Sequence, residues 1–330
     1  MKEINFMTIG DRNFFPIIHY ALKKIIQIYP LSTVFIYDWG FTENQKIIIK
    51  SYKNIKLIDW REKLDKENGY KKVISDYEGY NPNKDIRKHE YMLMQKPYCM
   101  LDCSKKIKEN LVFIDGDAIL LNPVNEIFEG DNDIAVTLNA KIDIDKASKL
   151  GIKSPLNSGV LFFSSTSKKI QLFINEWINQ MKFTKRIWIE QSSLSLLIEK
   201  HNPNIFEEYK LYGSIKINNI NLRIRILPTQ IYNFYKLEEG FDLNKTKIIH
   251  LKGRIPKIHR VIRDFKISSF LQKFIRIIPK VLIKRFNIYV IVKKMADLLY
   301  QPKKISYLRK GLSINIKNIR NLLLKSRIKN

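Results

Sequence analysis

The sequence has only two cysteines, and it contains neither a recognisable secretory leader nor a long apolar run. Cys99 and Cys103 are four residues apart on a predicted helix, a spacing unlike that of CxxC redox or zinc pairs. We expect both to be reduced core residues. The apolar stretch after Met1 ends within a few residues at Gly10, too early for a signal peptide. No uninterrupted run approaches the roughly 18 residues of a membrane-spanning helix, so a cytoplasmic location is expected.

Acidic residues are almost missing from the last 80 residues. That stretch has 22 Lys and Arg residues against Asp264 and Asp297, so about +20 of the formal charge of +27 lies there. The first 250 residues are therefore only weakly basic, and the basic surface that would attract a partner is predicted in the C-terminal part. A hydrophobic content of 45% with 12% aromatic residues excludes wholesale disorder.

Strand and helix patterns alternate from the start of the chain. The first three strand–helix units are predicted at Ile4–Ile9, Phe15–Ile28, Thr33–Tyr37, a helix capped by Thr42 and ending at Tyr52, and Ile55–Ile58. Such a succession favours an α/β fold with a parallel, doubly wound sheet. Ligands of these sheets bind at the carboxyl ends of the strands, which places Asp11, Asp38 and the Asp115/Asp117 pair on one rim.

The rest of the chain gives further elements and one irregular stretch. Residues 61–87 are predicted to be irregular, and a helix with Pro97 near its start follows from Glu90 to Lys106. Later strands are predicted at Ile134–Leu138, Val160–Phe163, Ile224–Leu227 and Lys247–Leu251, and helices at Lys168–Met181 and Glu190–Glu199. Beyond Arg254, basic amphipathic helices are predicted at Ile267–Ile278 and Lys280–Leu299.

A short apolar run, Leu111–Ile114, meets two aspartates with a single glycine between them. The run is too short for a helix and fits a strand buried on both faces. Side chains alternate along a strand, so Asp115 and Asp117 are predicted to point to the same side, where their charges would repel unless a hard cation lay between them. Mg2+ or Mn2+, held by carboxylates and substrate phosphates, is the expected occupant. The alternative is an ordinary polar turn after a strand.

The order of the polar motifs resembles that of a known enzyme group. In chain order these motifs are Asp11-Arg12-Asn13-Phe14, Tyr37-Asp38-Trp39-Gly40, Lys96-Pro97, Asp115-Gly116-Asp117, Asn157-Ser158-Gly159, Glu190-Gln191 and His250-Leu-Lys-Gly253. Together they resemble the retaining glycosyltransferases of family 8, which have the GT-A nucleotide-diphospho-sugar transferase fold. The resemblance implies a GT-A, Rossmann-like domain over residues 1–260 and a basic helical extension over 261–330.

The resemblance also implies roles for individual residues. Asp115 and Asp117 match the DxD pair that binds Mn2+ and the donor diphosphate, and His250 matches the third metal ligand. In the family's HxxG motif a Lys follows, whereas this chain has Arg254 and, one position displaced, Lys257. Either could hold the diphosphate next to Gly253. Mg2+ is the alternative ion.

Donor and catalytic positions follow from the same comparison. Lys96 matches a basic residue near the phosphates, and Glu190-Gln191 matches an Asp-Gln pair beside the anomeric carbon. The nucleotide is expected at Asp11, Asn13, Phe14 and Asp38, with UDP as first choice, and the sugar at Asn157, Ser158 and Gly159. Phe14 stands where the family often has Tyr, so it could pack on the base but has no hydroxyl to donate.

These features imply a metal-dependent hexosyltransferase that moves a sugar from a UDP-sugar to a glycan, lipid-linked or protein acceptor, with retention. The basic C-terminal segment would hold it on an anionic membrane surface at the cytoplasmic side, or would pack on the domain with a solvated face. Nucleic acid is not an expected partner. Two alternatives are a haloacid dehalogenase-like phosphatase, in which Asp115 would be the nucleophile, and a non-catalytic basic protein that binds membrane or nucleic acid.

Overall fold

A computed structural model of the chain describes residues 3–66, 84–140, 144–145, 155–184, 188–205, 212–235 and 244–251. The strands are β1 (Ile4–Gly10), β2 (Val34–Asp38), β3 (Ile55–Asp59), β4 (Asn110–Ile114), β5 (Ala118–Leu120), β6 (Ile134–Leu138), β7 (Leu156–Phe163), β8 (Tyr212–Ile217), β9 (Ile220–Leu227) and β10 (Ile248–His250). The helices are α1 (Phe15–Ile28), α2 (Glu43–Lys50), α3 (Arg61–Lys66), α4 (Lys84–Ser104), α5 (Lys168–Met181), α6 (Ile189–His201) and α7 (Thr229–Tyr232). Among the described residues, no helix is both long and apolar enough to span a bilayer.

Eight strands form one mixed sheet in the order β3-β2-β1-β4-β7-β6-β9-β8. Strands β3, β2, β1 and β4 are parallel, as predicted from the strand–helix units. Beyond β4 the sheet is mixed: β7 runs antiparallel to both of its neighbours and β8 runs antiparallel to β9, whereas β6 and β9 are parallel. The α/β class is confirmed, and the sheet is only partly doubly wound.

Both faces of the sheet are covered, which accounts for the continuous apolar strands. Along β4, Leu111 and Phe113 face one buried cluster, and Val112 and Ile114 face the other. The first cluster includes residues of α4, α5 and α6, such as Trp177, and the second includes residues of α1. All five residues of β4 are buried, as predicted for a strand packed on two sides.

The region predicted to be irregular between residues 61 and 87 is helical at both ends. Helix α3 covers Arg61–Lys66, and α4 already begins at Lys84. Pro97 lies inside α4 and does not interrupt it near its start. Proline removes one backbone donor from a helix, and here the packing of α4 against α5 and α6 compensates.

Other predictions agree more closely. Thr42 caps α2 with a complete capping box, and Cys99 and Cys103 are buried free thiols. Strands β5 and β8 and the short helix α7 were not predicted, because each is too short or too polar to show a clear period. The predicted boundary near residue 260 and the two basic helices that follow it lie outside the described residues.

A second, two-stranded sheet leaves the main one at the carboxyl end of β4. Strand β5 pairs antiparallel with β10, and Ala118 lies opposite His250. The backbone N–H of Leu251 donates to the carbonyl of Asp117 at 2.8 Å. This small sheet therefore brings the end of the described chain next to the Asp115–Asp117 turn.

Candidate functional site

The two aspartates lie in a tight turn between β4 and β5. The N–H of Ala118 donates to the carbonyl of Asp115 at 2.9 Å, which closes the turn. The prediction that strand alternation aligns the two carboxylates is therefore wrong, although both still face the same neighbour. Gly116 makes the turn possible, since a Cβ there would lie 2.5 Å from the carbonyl oxygen of Ile9 and 3.4 Å from the Phe14 ring.

His250 completes a cluster of three groups that could bind a metal. Its Nε2 lies 3.1 Å from Asp117 Oδ1 and 3.7 Å from Asp115 Oδ2. One donor atom from each of the three residues lies within 4.8 Å of the others, and Asp117 and His250 are buried. Two carboxylates and an imidazole suit Mn2+ or Mg2+ and leave coordination positions for phosphate oxygens. The residues present therefore fit the expected divalent ion.

Gly159 lies directly against this cluster. A Cβ on Gly159 would fall on His250 Cε1, 2.7 Å from His250 Nδ1 and 2.9 Å from Asp115 Oδ2. The N–H of Asp115 donates to the carbonyl of Gly159 at 2.8 Å, which fixes β7 beside the turn. At position 159 only glycine, which has no Cβ, leaves room for both His250 and Asp115.

Lys96 on α4 holds the first aspartate from the opposite side. Its ammonium group lies 2.9 Å and 3.0 Å from the two carboxylate oxygens of Asp115 and 3.8 Å from Glu190 Oε2. The lysine side chain is almost fully buried. Burial lowers the Lys96 pKa, but the charges of Asp115 and Glu190 raise it more, so it stays well above its usual value. Lys96 is a fixed positive charge beside the metal cluster.

Glu190 and Gln191 reach the same place from the N-terminus of α6. Ser158 Oγ donates to Glu190 Oε2 at 3.0 Å, and the Ser158 N–H donates to Gln191 Oε1 at 3.3 Å. Burial raises the pKa of Glu190 to about 7, against the opposing effect of Lys96. Glu190 Oε1 is buried and has no hydrogen-bond partner among the described residues.

Asn157 arranges the strand that carries these contacts. Its Oδ1 accepts from the Gly159 N–H at 2.9 Å, and its amide donates to Asn139 Oδ1 at 3.1 Å. The sequence pattern placed Asn157-Ser158-Gly159 before the strand. In the structure the segment is part of β7. The structure thus brings the predicted sugar-lining residues next to Glu190 and Gln191 and next to the three candidate metal ligands.

The predicted nucleotide residues lie at the ends of β1 and β2. Asp11 Oδ1 accepts from the Asn13 N–H at 2.8 Å, and the Phe14 ring borders Gly116. Asp38 is buried, and its Oδ1 accepts from the N–H groups of Gly40 and Phe41, both at 2.7 Å. Asp38 therefore shapes the loop after β2, and its binding role stays a prediction.

Three predicted diphosphate residues, Gly253, Arg254 and Lys257, lie outside the described residues. Two other residues, which lie among the described ones, support the site and were not predicted. Glu90 on α4 accepts from the Ile189 N–H at 3.2 Å and so caps the helix that presents Glu190. Asn233 Oδ1 lies 3.0 Å from His250 Nδ1. Neither residue stands in a recognisable motif, so no sequence signal could have found them.

Residues 79–261, more than half of the chain, match the family model of nucleotide-diphospho-sugar transferases. The chain belongs to this family. The transferase has the α/β architecture that the GT-A resemblance implied. A search of curated proteins finds no match.

Solved glycosyltransferase structures are similar to this transferase at low sequence identity. The galactosyltransferase LgtC, in complex with donor and acceptor sugar analogues, is 14% identical, with 74% of this chain and 86% of that chain covered and a TM-score of 0.42. Mouse xyloside xylosyltransferase 1 is 11% identical, with 77% and 99% covered and a TM-score of 0.46. GlyE of Streptococcus pneumoniae TIGR4 is 15% identical, with 76% and 54% covered and a TM-score of 0.42.

Replacing Gly159 with alanine is expected to disrupt the metal cluster. The added methyl group would collide with His250 and crowd Asp115 Oδ2. We expect Mn2+ affinity, measured by titration calorimetry, to fall by about tenfold or more. Gly213→Ala is the matched control, because its Cβ would also clash, with Cδ1 and Cγ1 of Ile205 at 2.5 Å and 2.7 Å, but on edge strand β8 and against none of the three candidate ligands. Unchanged Mn2+ affinity in Gly159→Ala would contradict the geometry.

Glu190 predicts a defined pH dependence of stability in the metal-free transferase. Because its pKa rises from 4.5 to about 7 on folding, the folded chain keeps a proton that the unfolded chain has released between these values. Stability should therefore fall as the pH rises through this window, by on the order of 3 kcal/mol. Glu190→Gln should lose this component and gain stability relative to the wild type between pH 5 and pH 8.

Denaturant unfolding at several pH values measures this difference. Glu199→Gln, the same change in the last turn of α6, controls for the loss of a carboxylate. A constant difference between wild type and Glu190→Gln across the window would show that Glu190 titrates normally.

Proposed function

We propose that this chain is a metal-dependent glycosyltransferase that moves a sugar from a UDP-sugar to a glycan, lipid-linked or protein acceptor, with retention at the anomeric carbon. The family match supports a nucleotide-sugar donor. The observation that supports metal dependence is the cluster of Asp115, Asp117 and His250 beside the buried ammonium of Lys96.

Asp115, Asp117 and His250 would hold the divalent ion. When bound, such an ion supplies positive charge that stabilises the departing nucleoside diphosphate. Lys96 adds a second positive charge, and its burial keeps that charge in one place and poorly screened by water. We propose Gly253 with Arg254 or Lys257 as further contacts of the diphosphate.

Glu190 and Gln191 would face the reacting sugar. Ser158 holds one carboxylate oxygen of Glu190, so Oε1 is the oxygen that remains for the substrate. A pKa of about 7 lets the group act in either protonation state near neutral pH. Retention follows either from same-face attack by the acceptor, with Glu190 and Gln191 stabilising the oxocarbenium-like carbon, or from double displacement through one of these residues.

Donor binding is proposed along the rim formed by β1, β4 and β7. Asp11 and Asn13 would bind the uridine, and Phe14, which lies against the metal turn, would pack on it. Asn157 and Ser158 would contact the sugar. Phe14 has no hydroxyl group with which to select one base, in contrast to the tyrosine that the family often has there. UDP is the first choice of nucleotide.

The basic C-terminal segment is proposed to hold the enzyme on an anionic membrane surface at the cytoplasmic side, near a lipid-linked acceptor. About +20 of net charge lies in residues 251–330. Each basic residue near the headgroups contributes about 1 kcal/mol of attraction. Co-sedimentation with vesicles containing phosphatidylserine, lost with neutral vesicles or at high salt, would support this location. Equal binding to neutral vesicles, or none, would contradict it.

The phosphatase alternative has less support. The family match is to transferases. No observation favours a purely non-catalytic basic protein over the transferase.

Release of UDP from a panel of UDP-sugars tests the proposed function without knowledge of the acceptor, because many transferases slowly use water. We expect release to require Mn2+ or Mg2+ and to stop with EDTA. Asp117→Asn should lower the rate by about a hundredfold or more, since it removes a metal ligand. Asp131→Asn, which removes an exposed carboxylate paired with Arg223, is the control.

Metal-independent release, or equal rates in wild type and Asp117→Asn, would contradict metal dependence. If no UDP-sugar were turned over or bound in the presence of Mn2+, the transferase proposal itself would fail.

A further inference from the structure

The second nitrogen of His250 has a buried partner that the proposed mechanism does not use. Asn233 Oδ1 lies 3.0 Å from His250 Nδ1, and the Asn233 amide donates to Thr137 Oγ1 at 2.8 Å. Asn233 and Thr137 are both completely buried. A chain of three polar side chains thus runs from the main sheet to the metal cluster.

Backbone contacts hold Asn233 beside the strand of His250. Asn233 is the C-cap residue directly after α7, and the next residue, Phe234, makes two backbone hydrogen bonds to the strand of His250. The Phe234 N–H donates to the carbonyl of Ile248 at 2.9 Å, and the His250 N–H donates to the carbonyl of Phe234 at 2.8 Å. Thr137 lies in β6, where the pairing with β7 shifts register. Asn233 is therefore held where its amide meets the edge of the imidazole.

A neutral imidazole has one N–H and one lone pair, and only the nitrogen with the lone pair can bind a metal. Here Nε2 faces Asp117 and Asp115, so metal binding requires the proton on Nδ1. The competing tautomer would place its proton on Nε2, where it could donate to Asp117 Oδ1. An acceptor at Nδ1 favours the first tautomer over the second.

We infer that Asn233 is a positioning residue that sets the tautomer and orientation of His250 for metal binding. Its Oδ1 faces Nδ1 and accepts the Nδ1 proton, while its amide nitrogen donates to Thr137 Oγ1. The inference rests on the proposed metal site and deepens it. Thr137 acts through Asn233 and has no direct contact with the cluster in this arrangement.

Two substitutions separate positioning from simple packing. Asn233→Asp keeps an acceptor at the same place and has no N–H that could face the ring. Asn233→Leu has similar volume and no acceptor. A structural role would tolerate leucine better than a buried carboxylate, so the two hypotheses predict opposite orders of metal affinity.

Mn2+ affinity is measured by titration calorimetry with the metal alone. We expect Asn233→Leu to bind about 10- to 100-fold more weakly, and Asn233→Asp to remain within about threefold of the wild type or to bind more tightly. Asn132→Leu is the matched control. Asn132 is also buried, and it precedes the first residue of β6, whereas Thr137 lies near the last. It should leave Mn2+ affinity unchanged.

A second measurement needs no metal. Imidazole 15N chemical shifts, assigned to His250 by comparison with His250→Ala, report which ring nitrogen carries the proton. In the neutral ring of the metal-free protein, the tautomer with its proton on Nδ1 should be less populated in Asn233→Leu than in the wild type and in Asn233→Asp.

The outcomes separate the two proposals. Equal Mn2+ affinity in Asn233→Leu and wild type, an equal loss in both variants, or an unchanged tautomer population in Asn233→Leu would each overturn the inference. A wild type that carries the Nδ1 proton but binds no Mn2+ would instead overturn the metal site of the proposed function and leave the effect of Asn233 on the tautomer standing.

Discussion

Several ionisable groups share one buried volume at the edge of the sheet, and their mutual attraction and repulsion determine the rest of the site. Asp115, Asp117 and Glu190 would repel one another strongly if all three were charged and uncompensated. Lys96 compensates part of this charge. Burial, helped by the nearby charge of Asp115, raises the pKa of Glu190 to about 7, so Glu190 stays neutral below that pH. A divalent ion would supply the remaining positive charge.

The surrounding structure can be understood as the means of holding these groups in place. The parallel half of the sheet ends at the Asp115–Asp117 turn, and β7 brings Gly159 close enough for the imidazole to fit. Glu90 caps the helix that presents Glu190, so one helix, α4, supplies both the cation and the cap. Rigid elements on several sides limit movement of the charges, which is what electrostatic catalysis requires.

The sequence indicated the elements, and which polar residues lie together, better than how the elements connect. Strands β4 and β6 are short, almost wholly apolar runs, and the amphipathic helices α1 and α5 have a clear helical period, so the positions of all four follow directly from the pattern. The candidate metal ligands Asp115, Asp117 and His250 were proposed because their residue types and order match a chemistry, and the structure brings them together. The reversal of β7, the turn that replaces a continued strand, and the partners Glu90 and Asn233 depend on contacts between distant segments, which no local pattern encodes.

The small sheet of β5 and β10 has a consequence for how the site forms. His250 is separated from Asp117 by more than 130 residues of chain, yet it must lie 3 Å away for the cluster to exist. Closing so long a loop is entropically costly and slow, so these ligands are expected to meet late in folding. A ribosome-bound chain that has not yet exposed β10 would have both aspartates but no third ligand. Metal capture would then mark the completed domain, and the bound ion would stabilise that state by mass action.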